Sequence, residues 1–159
     1  MTLINFTLEN PVGTIALRGL NRYWDLHNFA FFKGFLYLDE VNRFELEWSA
    51  PRVGNPWGDD QNKAVGCKLI FTDVTYLSIG GAWTRLARSQ ECLSSVFQVT
   101  TEERNVVRSP ELRTREKWNP TDDFALLFCL QSGRTIEVQS VNATLVAEDE
   151  LQTQIEHGK

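Results

Sequence analysis

The sequence predicts an all-β domain, or a β-rich domain with one or two short helices, built as an antiparallel β-sandwich or a partly open barrel. Several segments alternate apolar and polar residues with a period of two, which is typical of strands. Aromatic side chains, which favour strands, are abundant: ten Phe, five Trp and three Tyr. Amphipathic helical patterns are scarce, and short apolar runs separated by turn residues recur along the chain.

We expect a single domain over residues 1–159, because domains typically span about 100–200 residues. A chain of this length buries enough surface to form a core without metals or disulfides. The polar segment near residues 101–123 is expected to be a long loop or arm over the sheet. Residues 150–159 are expected to form a tail.

The first clear hairpin covers residues 35–49. Residues 43–49, RFELEWS, alternate strictly and predict a strand with one buried face and one wet face. The preceding segment FLYLDEVN supplies a partner strand and a turn near residues 39–42. The buried face of the alternating strand is predicted to hold Phe44, Leu46 and Trp48, and the wet face Arg43, Glu45 and Glu47. Residues 20–30 are compatible with either a helix or a strand.

The second half of the chain adds further strands. Residues 65–81, VGCKLIFTDVTYLSIGG, predict two strands that meet near Asp73. Residues 93–100 predict a short strand, and residues 124–140 predict a hairpin that turns at Gln131-Ser132-Gly133. VNATLVAED adds one more strand. Ser109-Pro110-Glu111 has the form of a helix start and predicts one or two helical turns.

Composition excludes several function classes. The net charge is −5, and only residues 61–120 carry a positive balance of +3, so no nucleic-acid surface is predicted. Cys67, Cys92 and Cys129 form an odd set without CxxC spacing, which predicts free thiols and no zinc site. Cys67 and Cys129 lie in apolar strand-like runs and are expected to be buried. No nucleotide, phosphate or calcium motif occurs in the sequence, so no cofactor or metal is expected. Without a signal sequence or a membrane-spanning run, a cytoplasmic location is expected.

Of the two histidines, His157 lies two residues from the end of the sequence, in a segment expected to fray, and His27 has Asp25 two residues away. If residues 20–30 form a strand, Asp25 and His27 share one face, and Asp25 is placed to orient the imidazole. This would be half of a nucleophile–base arrangement, but no nucleophile motif accompanies it. We therefore expect a structural histidine and no catalytic residue, and keep a hydrolase using His27 as the weakest alternative.

The loop residues Trp57, Asp59, Asp60 and Trp118 are the candidate binding residues. Both tryptophans lie in polar, turn-forming surroundings, where an indole either caps the end of a sheet or contacts a partner. We expect Trp57 to pack onto the sheet end with Asp59 and Asp60 in water. If the two tryptophans instead stand exposed over a groove, a carbohydrate or other small ligand becomes the expected partner.

The segments CKLIFTDVTYLSIGG and FALLFCLQSGRTIEVQSVNATLV give about residues 30–147 a strand–turn–strand pattern. This pattern resembles small uncharacterised bacterial β-rich proteins, some of which are similar to immunity proteins that neutralise polymorphic toxins. The resemblance implies a cytoplasmic, non-enzymatic, acidic protein that binds a protein partner, and it assigns no functional residue. We take this protein-binding function as the first hypothesis and a ligand-binding β-sandwich as the second. A homodimer is left open.

Overall fold

The structure is a computed structural model that describes residues 1–28, 30–49, 64–81, 91–100 and 123–149. Within these residues it contains ten strands and one short 3-10 helix. The strands are β1 Thr2–Ile4, β2 Phe6–Leu8, β3 Ala16–Gly19, β4 Arg22–Asp25, β5 Phe31–Leu38, β6 Arg43–Ser49, β7 Ala64–Gly80, β8 Leu93–Thr100, β9 Phe124–Leu130 and β10 Thr135–Asp149. The sequence predicts a turn near residues 39–42, and the structure forms this turn between β5 and β6 with the 3-10 helix Asp39–Val41.

The strands form two sheets, which confirms the predicted all-β class. The large sheet has seven strands, in the order β5-β6-β7-β10-β9-β8, with β1 pairing in parallel beside β10. The small sheet is antiparallel, in the order β2-β3-β4. The sheets do not close into a barrel, and the arrangement is sandwich-like.

Residues of both sheets share one hydrophobic core. The alternation in β6 has the predicted effect, because Phe44, Leu46 and Trp48 are fully buried. Leu17 and Trp24 of the small sheet belong to the same buried cluster. The strands β7, β9 and β10 add a further set of buried residues to it: Cys67, Leu69, Phe71, Phe124, Leu126, Phe128, Leu130, Ile136, Val138, Ala143 and Leu145.

The strands β7 and β10 are long and continuous, whereas the sequence predicts two shorter strands in each region. They pair along their whole length, with a register shift between Gln139 and Ser140. Asp73 adopts a φ of +54° next to this bulge, which changes the direction of the strand without ending it. The side chain of Asn42 donates from Nδ2 to the carbonyl of Val74 at 3.1 Å and fixes the bend against the β5–β6 turn.

Residues 20–30 prove to be a short strand followed by a turn. Leu20 and Asn21 both have positive φ and form the turn between β3 and β4. The strand β4 ends at Asp25, and residues 26–28 form the next turn. None of the helices within the described ranges has the length and apolar character needed to cross a bilayer.

Candidate functional site

The four candidate binding residues, Trp57, Asp59, Asp60 and Trp118, lie outside the described residues. The same holds for Ser109-Pro110-Glu111 and for most of the predicted arm at residues 101–123. The expectation that Trp57 caps the sheet end therefore stays a prediction. The sites described below are built from the remaining parts of the chain.

Asp25 does not orient the imidazole of His27, contrary to the strand-based expectation. Because β4 ends at Asp25, the two side chains do not share a strand face. The carboxylate instead accepts hydrogen bonds from the backbone N–H groups of His27 at 3.0 Å and Asn28 at 2.9 Å, and from the Asn28 side chain at 2.8 Å. Asp25 thus satisfies the free amides of the turn that follows the strand.

The His27 ring forms a hydrogen bond with β8 of the large sheet. Its Nδ1 lies 2.7 Å from the carbonyl oxygen of Leu93. A carbonyl oxygen only accepts hydrogen bonds, so Nδ1 carries a proton and donates it. The backbone adds a second link, from the Leu93 N–H to the carbonyl of Leu26 at 3.2 Å. These contacts favour the structural interpretation of His27.

A buried ion pair joins the β9–β10 turn to Glu91, two residues before β8. Arg134 donates from one Nη to Glu91 Oε2 at 3.0 Å, and both side chains are more than nine-tenths buried. The other carboxylate oxygen, Oε1, accepts a hydrogen bond from the Ser132 hydroxyl. Since both oxygens of Glu91 are engaged within the fold, we assign this cluster a structural role.

The outward face of the large sheet crosses five strands: β5, β6, β7, β10 and β1. The ladder registers align one straight row across all of them, Leu36, Glu45, Ile70, Thr144 and Ile4. A neighbouring row contains Glu47, Lys68 and Val146. Leu36, Ile4 and Val146 are exposed and Ile70 is half-buried. This face, defined by the two rows, is called the open face below.

Charges on and beside the open face are largely compensated. Arg43 pairs with Glu45 at 2.6 Å, and Lys68 pairs with Glu148 at 2.7 Å. The hydrogen bond from Lys68 to Glu148 raises the pKa of the lysine above its ordinary value. Glu47 lies farther from the same ammonium group, at 3.9 Å. It therefore presents the least compensated carboxylate of the face.

Among the described strands, β5 carries the largest number of exposed large apolar side chains. Its only strand partner among the described residues is β6, so it forms an edge of the large sheet. Four consecutive residues, Phe35 to Leu38, are all exposed, with Leu36 at 50%. Because successive residues point to opposite faces, both sides of this edge are apolar. Val41, in the turn that follows, is 62% exposed.

The sequence contains a signal for this edge. FLYL has four large apolar residues without alternation, whereas the neighbouring RFELEWS alternates strictly. A strand without a polar face is either covered on both sides or exposed as an apolar edge. The sequence does not distinguish these two cases.

Neither a group of metal ligands nor a match to a known protein assigns a further role to the described residues. No three His, Cys, Asp or Glu side chains are grouped to hold a metal ion in the part of the chain that the structure describes. Comparison of the chain with protein-family models, curated proteins and solved structures finds no match.

Proposed function

We propose that this chain is a non-enzymatic protein-binding domain that contacts its partner through the open face. The observation that supports the proposal most directly is the row across five strands in which three of the five residues, Leu36, Ile70 and Ile4, are aliphatic. The water-facing side of an antiparallel sheet normally carries polar side chains. Aliphatic residues at these alternate positions leave apolar surface that a protein partner can cover.

The polar residues of the open face suit a protein partner as well. Glu45 and Glu47 interrupt the aliphatic residues, so the face combines apolar contact area with acidic groups. Non-obligate protein interfaces have this mixed composition, with an apolar centre and a polar rim. A partner that fits it presents aliphatic side chains and a basic group opposite Glu47.

The class of partner follows from the resemblance stated for residues 30–147. An immunity-like function, in which the domain binds and neutralises a toxin, agrees with a net charge of −5 and with the carboxylates of Glu45 and Glu47 on the open face. We include this function in the proposal.

The test is an affinity measurement with a partner identified by capture on the tagged chain and then purified. Ile70→Lys places a charge at the centre of the aliphatic row and should weaken binding by roughly tenfold or more, as loss of a central contact does. Glu47→Lys should slow association, because it reverses the least compensated charge. Ser78→Lys, at an exposed position beyond the β7 bulge, is the matched control and should leave affinity unchanged.

Far-ultraviolet circular dichroism and thermal melting show whether each variant stays folded. If Ile70→Lys stays folded and binds with unchanged affinity, the open face is not the binding surface. If Trp57→Ala and Trp118→Ala abolish binding instead, the partner contacts the loops, as the alternative ligand-binding hypothesis expects.

A further inference from the structure

We propose that the protein partner of this domain adds a strand along β5, antiparallel to it, and that this strand begins with basic residues. Backbone hydrogen bonds then continue the large sheet of the domain into the partner. The inference rests on the proposed function and deepens it, because it names the contact that the partner makes beside the open face.

The second half of β5 is open to strand addition. Among the described residues its ladder has a partner on one side only, in β6, and residues 35–38 continue that ladder without a register shift. The beginning of β5 differs, because the register shift between Phe32 and Gly34 forms a bulge around the exposed Lys33. Bulges and lysines protect edge strands. The added strand therefore docks beside residues 35–38.

The apolar surface of this edge lies on both sides of the sheet and is continuous with the open face. Leu36 belongs to the row that defines the open face, and Leu38 projects to the same side. Tyr37 projects to the opposite side and is also exposed. A strand in the plane of the sheet covers both sides, whereas a partner that lies only on the open face leaves Tyr37 in water. The exposure on both sides thus favours addition in the plane.

The charges around the edge indicate the chemistry of the added strand. Asp39 and Glu40 directly follow the apolar residues, are exposed, and form no ion pair with a described residue. They lie in the 3-10 turn, beyond the ladder, so they attract a nearby cation without fixing a register. The exposed charge at the other end of the segment is the cation Lys33. A strand with its basic residues beside Asp39 and Glu40 satisfies both ends.

The direction follows from the sheet. Every pairing from β5 to β8 is antiparallel, and antiparallel pairs are slightly more stable per residue than parallel ones. In an antiparallel pair, the part of the added strand that lies beside the end of β5 comes first in its sequence. The basic residues are therefore expected at the N-terminal end of the added strand.

A synthetic peptide, acetyl-KKVTVTVS-amide, tests the proposal on the full chain. Its two lysines precede alternating valine and threonine, which favour a strand. Amide hydrogen exchange followed by NMR detects strand addition, because amides of β5 that face a free edge exchange rapidly and become protected when a strand pairs with them. We expect a dissociation constant on the order of 100 µM and, at about 1 mM peptide, roughly tenfold slower exchange of alternate amides within residues 35–38.

Matched peptides test charge and direction. EEVTVTVS has the same strand-forming residues with opposite charges, and should bind at least about tenfold more weakly. SVTVTVKK carries its lysines at the other end, and should bind roughly threefold more weakly because an antiparallel pair places them near Lys33. Equal binding of KKVTVTVS and EEVTVTVS would overturn the proposal, and equal binding of KKVTVTVS and SVTVTVKK would overturn its direction.

A variant of the chain tests the acidic end of the edge. Glu40→Gln should weaken binding of KKVTVTVS by roughly threefold, because it removes one of the two carboxylates. Ser78→Lys changes the net charge by the same amount at an exposed position beyond the β7 bend, and should leave binding unchanged. Equal effects of the two variants contradict a local role of the carboxylate.

The exchange rates also distinguish other occupants of the edge. If residues 35–38 exchange rapidly at every peptide concentration, the edge accepts no strand. If their amides are already protected in the dilute chain, the chain covers the edge itself. Protection that grows with the concentration of the chain, without peptide, identifies a second copy as the occupant. Each of these three results overturns the proposal.

The outcome is separable from that of the proposed function. The peptides test the edge, whereas Ile70→Lys tests the affinity of the purified partner for the open face. If Ile70→Lys weakens the partner and the amides of residues 35–38 stay unprotected in its complex, the protein-binding function stands and strand addition is wrong.

Discussion

Cys67 shows how burial decides the chemistry of a single residue. It lies fully buried on β7, opposite Trp48 on one side and Ala147 on the other. Burial raises the pKa of the Cys67 thiol far above its ordinary value, and the negative charges of Glu148 and Glu47 add to the effect. The thiolate, which is the nucleophilic form, is therefore suppressed in the folded chain.

We expect this thiol to make stability depend on alkaline pH. The unfolded thiol ionises near pH ~8.5, whereas the folded one stays protonated well above that pH. The contribution of Cys67 is therefore intact below pH ~8.5 and falls as pH rises, by up to about 1.4 kcal/mol per pH unit. Urea unfolding between pH 8 and pH 10 measures this slope.

Cys67→Ala should remove most of the slope, while lowering stability at pH 7 because a core side chain is shortened. Cys92, whose thiol pKa is also raised by burial but which is only partly buried, provides the comparison. Cys92→Ala should change the slope less. The measurements end near pH 10, because the raised pKa of Lys68 lowers the free energy of unfolding only at higher pH. An unchanged slope in Cys67→Ala would contradict the assignment.

At the scale of elements, the bend in β7 determines how the large sheet is divided. Before the bend, β7 lies between β6 and β10; after it, β7 pairs with β10. Asp73 holds the bend with a φ of +54°, in the left-handed region that aspartate tolerates better than branched residues do. Asn42, also left-handed at +46°, binds Val74 from the neighbouring turn.

The effect of a substitution at Asp73 on the free energy of unfolding should depend more on backbone conformation than on side-chain chemistry. Asp73→Gly should change the free energy of unfolding by no more than about 0.5 kcal/mol, because glycine adopts positive φ freely but loses more entropy on folding. Asp73→Val should lower it by about 1–2 kcal/mol, because a branched residue is strained there. Urea unfolding compares both variants with Ser78→Val, a substitution at an exposed position of the same strand that should be nearly neutral. Equal tolerance of valine at both positions would rule out backbone strain at Asp73.

For the whole molecule, we expect the shared core to make the two sheets unfold as one cooperative unit. Trp24 of the small sheet is fully buried in the same cluster as Trp48 and Phe128 of the large sheet. Its indole N–H donates to the carbonyl of Gly19 at 3.0 Å, so the ring is satisfied as well as buried. The small sheet alone has three strands of three or four residues, too short for independent stability.

Trp24→Ala should lower the free energy of unfolding by about 3–5 kcal/mol and preserve a single unfolding transition. Tyr23→Ala, at the neighbouring exposed position on the opposite face of β4, should cost far less. Urea unfolding followed by fluorescence and by circular dichroism measures both variants. Two separate transitions in Trp24→Ala would show that the large sheet folds without the small one.

The sequence by itself determined the features that depend on neighbouring residues. The alternation in β6 identified its buried face, and Ser132-Gly133 identified the β9–β10 turn, because side-chain period and turn chemistry are local properties. The prediction of a buried Cys67 thiol is confirmed, whereas Cys129, expected to be buried too, is partly exposed.

Tertiary structure decided which strands meet and which faces remain open. Nothing local to Thr2–Ile4 indicates parallel pairing with Asn142–Thr144, which lie at the other end of the chain. The sequence spacing of Asp25 and His27 is compatible with a catalytic pair. In the structure β4 ends at Asp25, and its carboxylate accepts hydrogen bonds from backbone amides instead. The four apolar residues of β5 are equally compatible with a covered strand and with an exposed edge. Hydrogen-bond partners and burial depend on segments that are distant in sequence. The pairing of β1, the partners of Asp25 and the exposure of β5 are therefore decided by the tertiary arrangement of the strands.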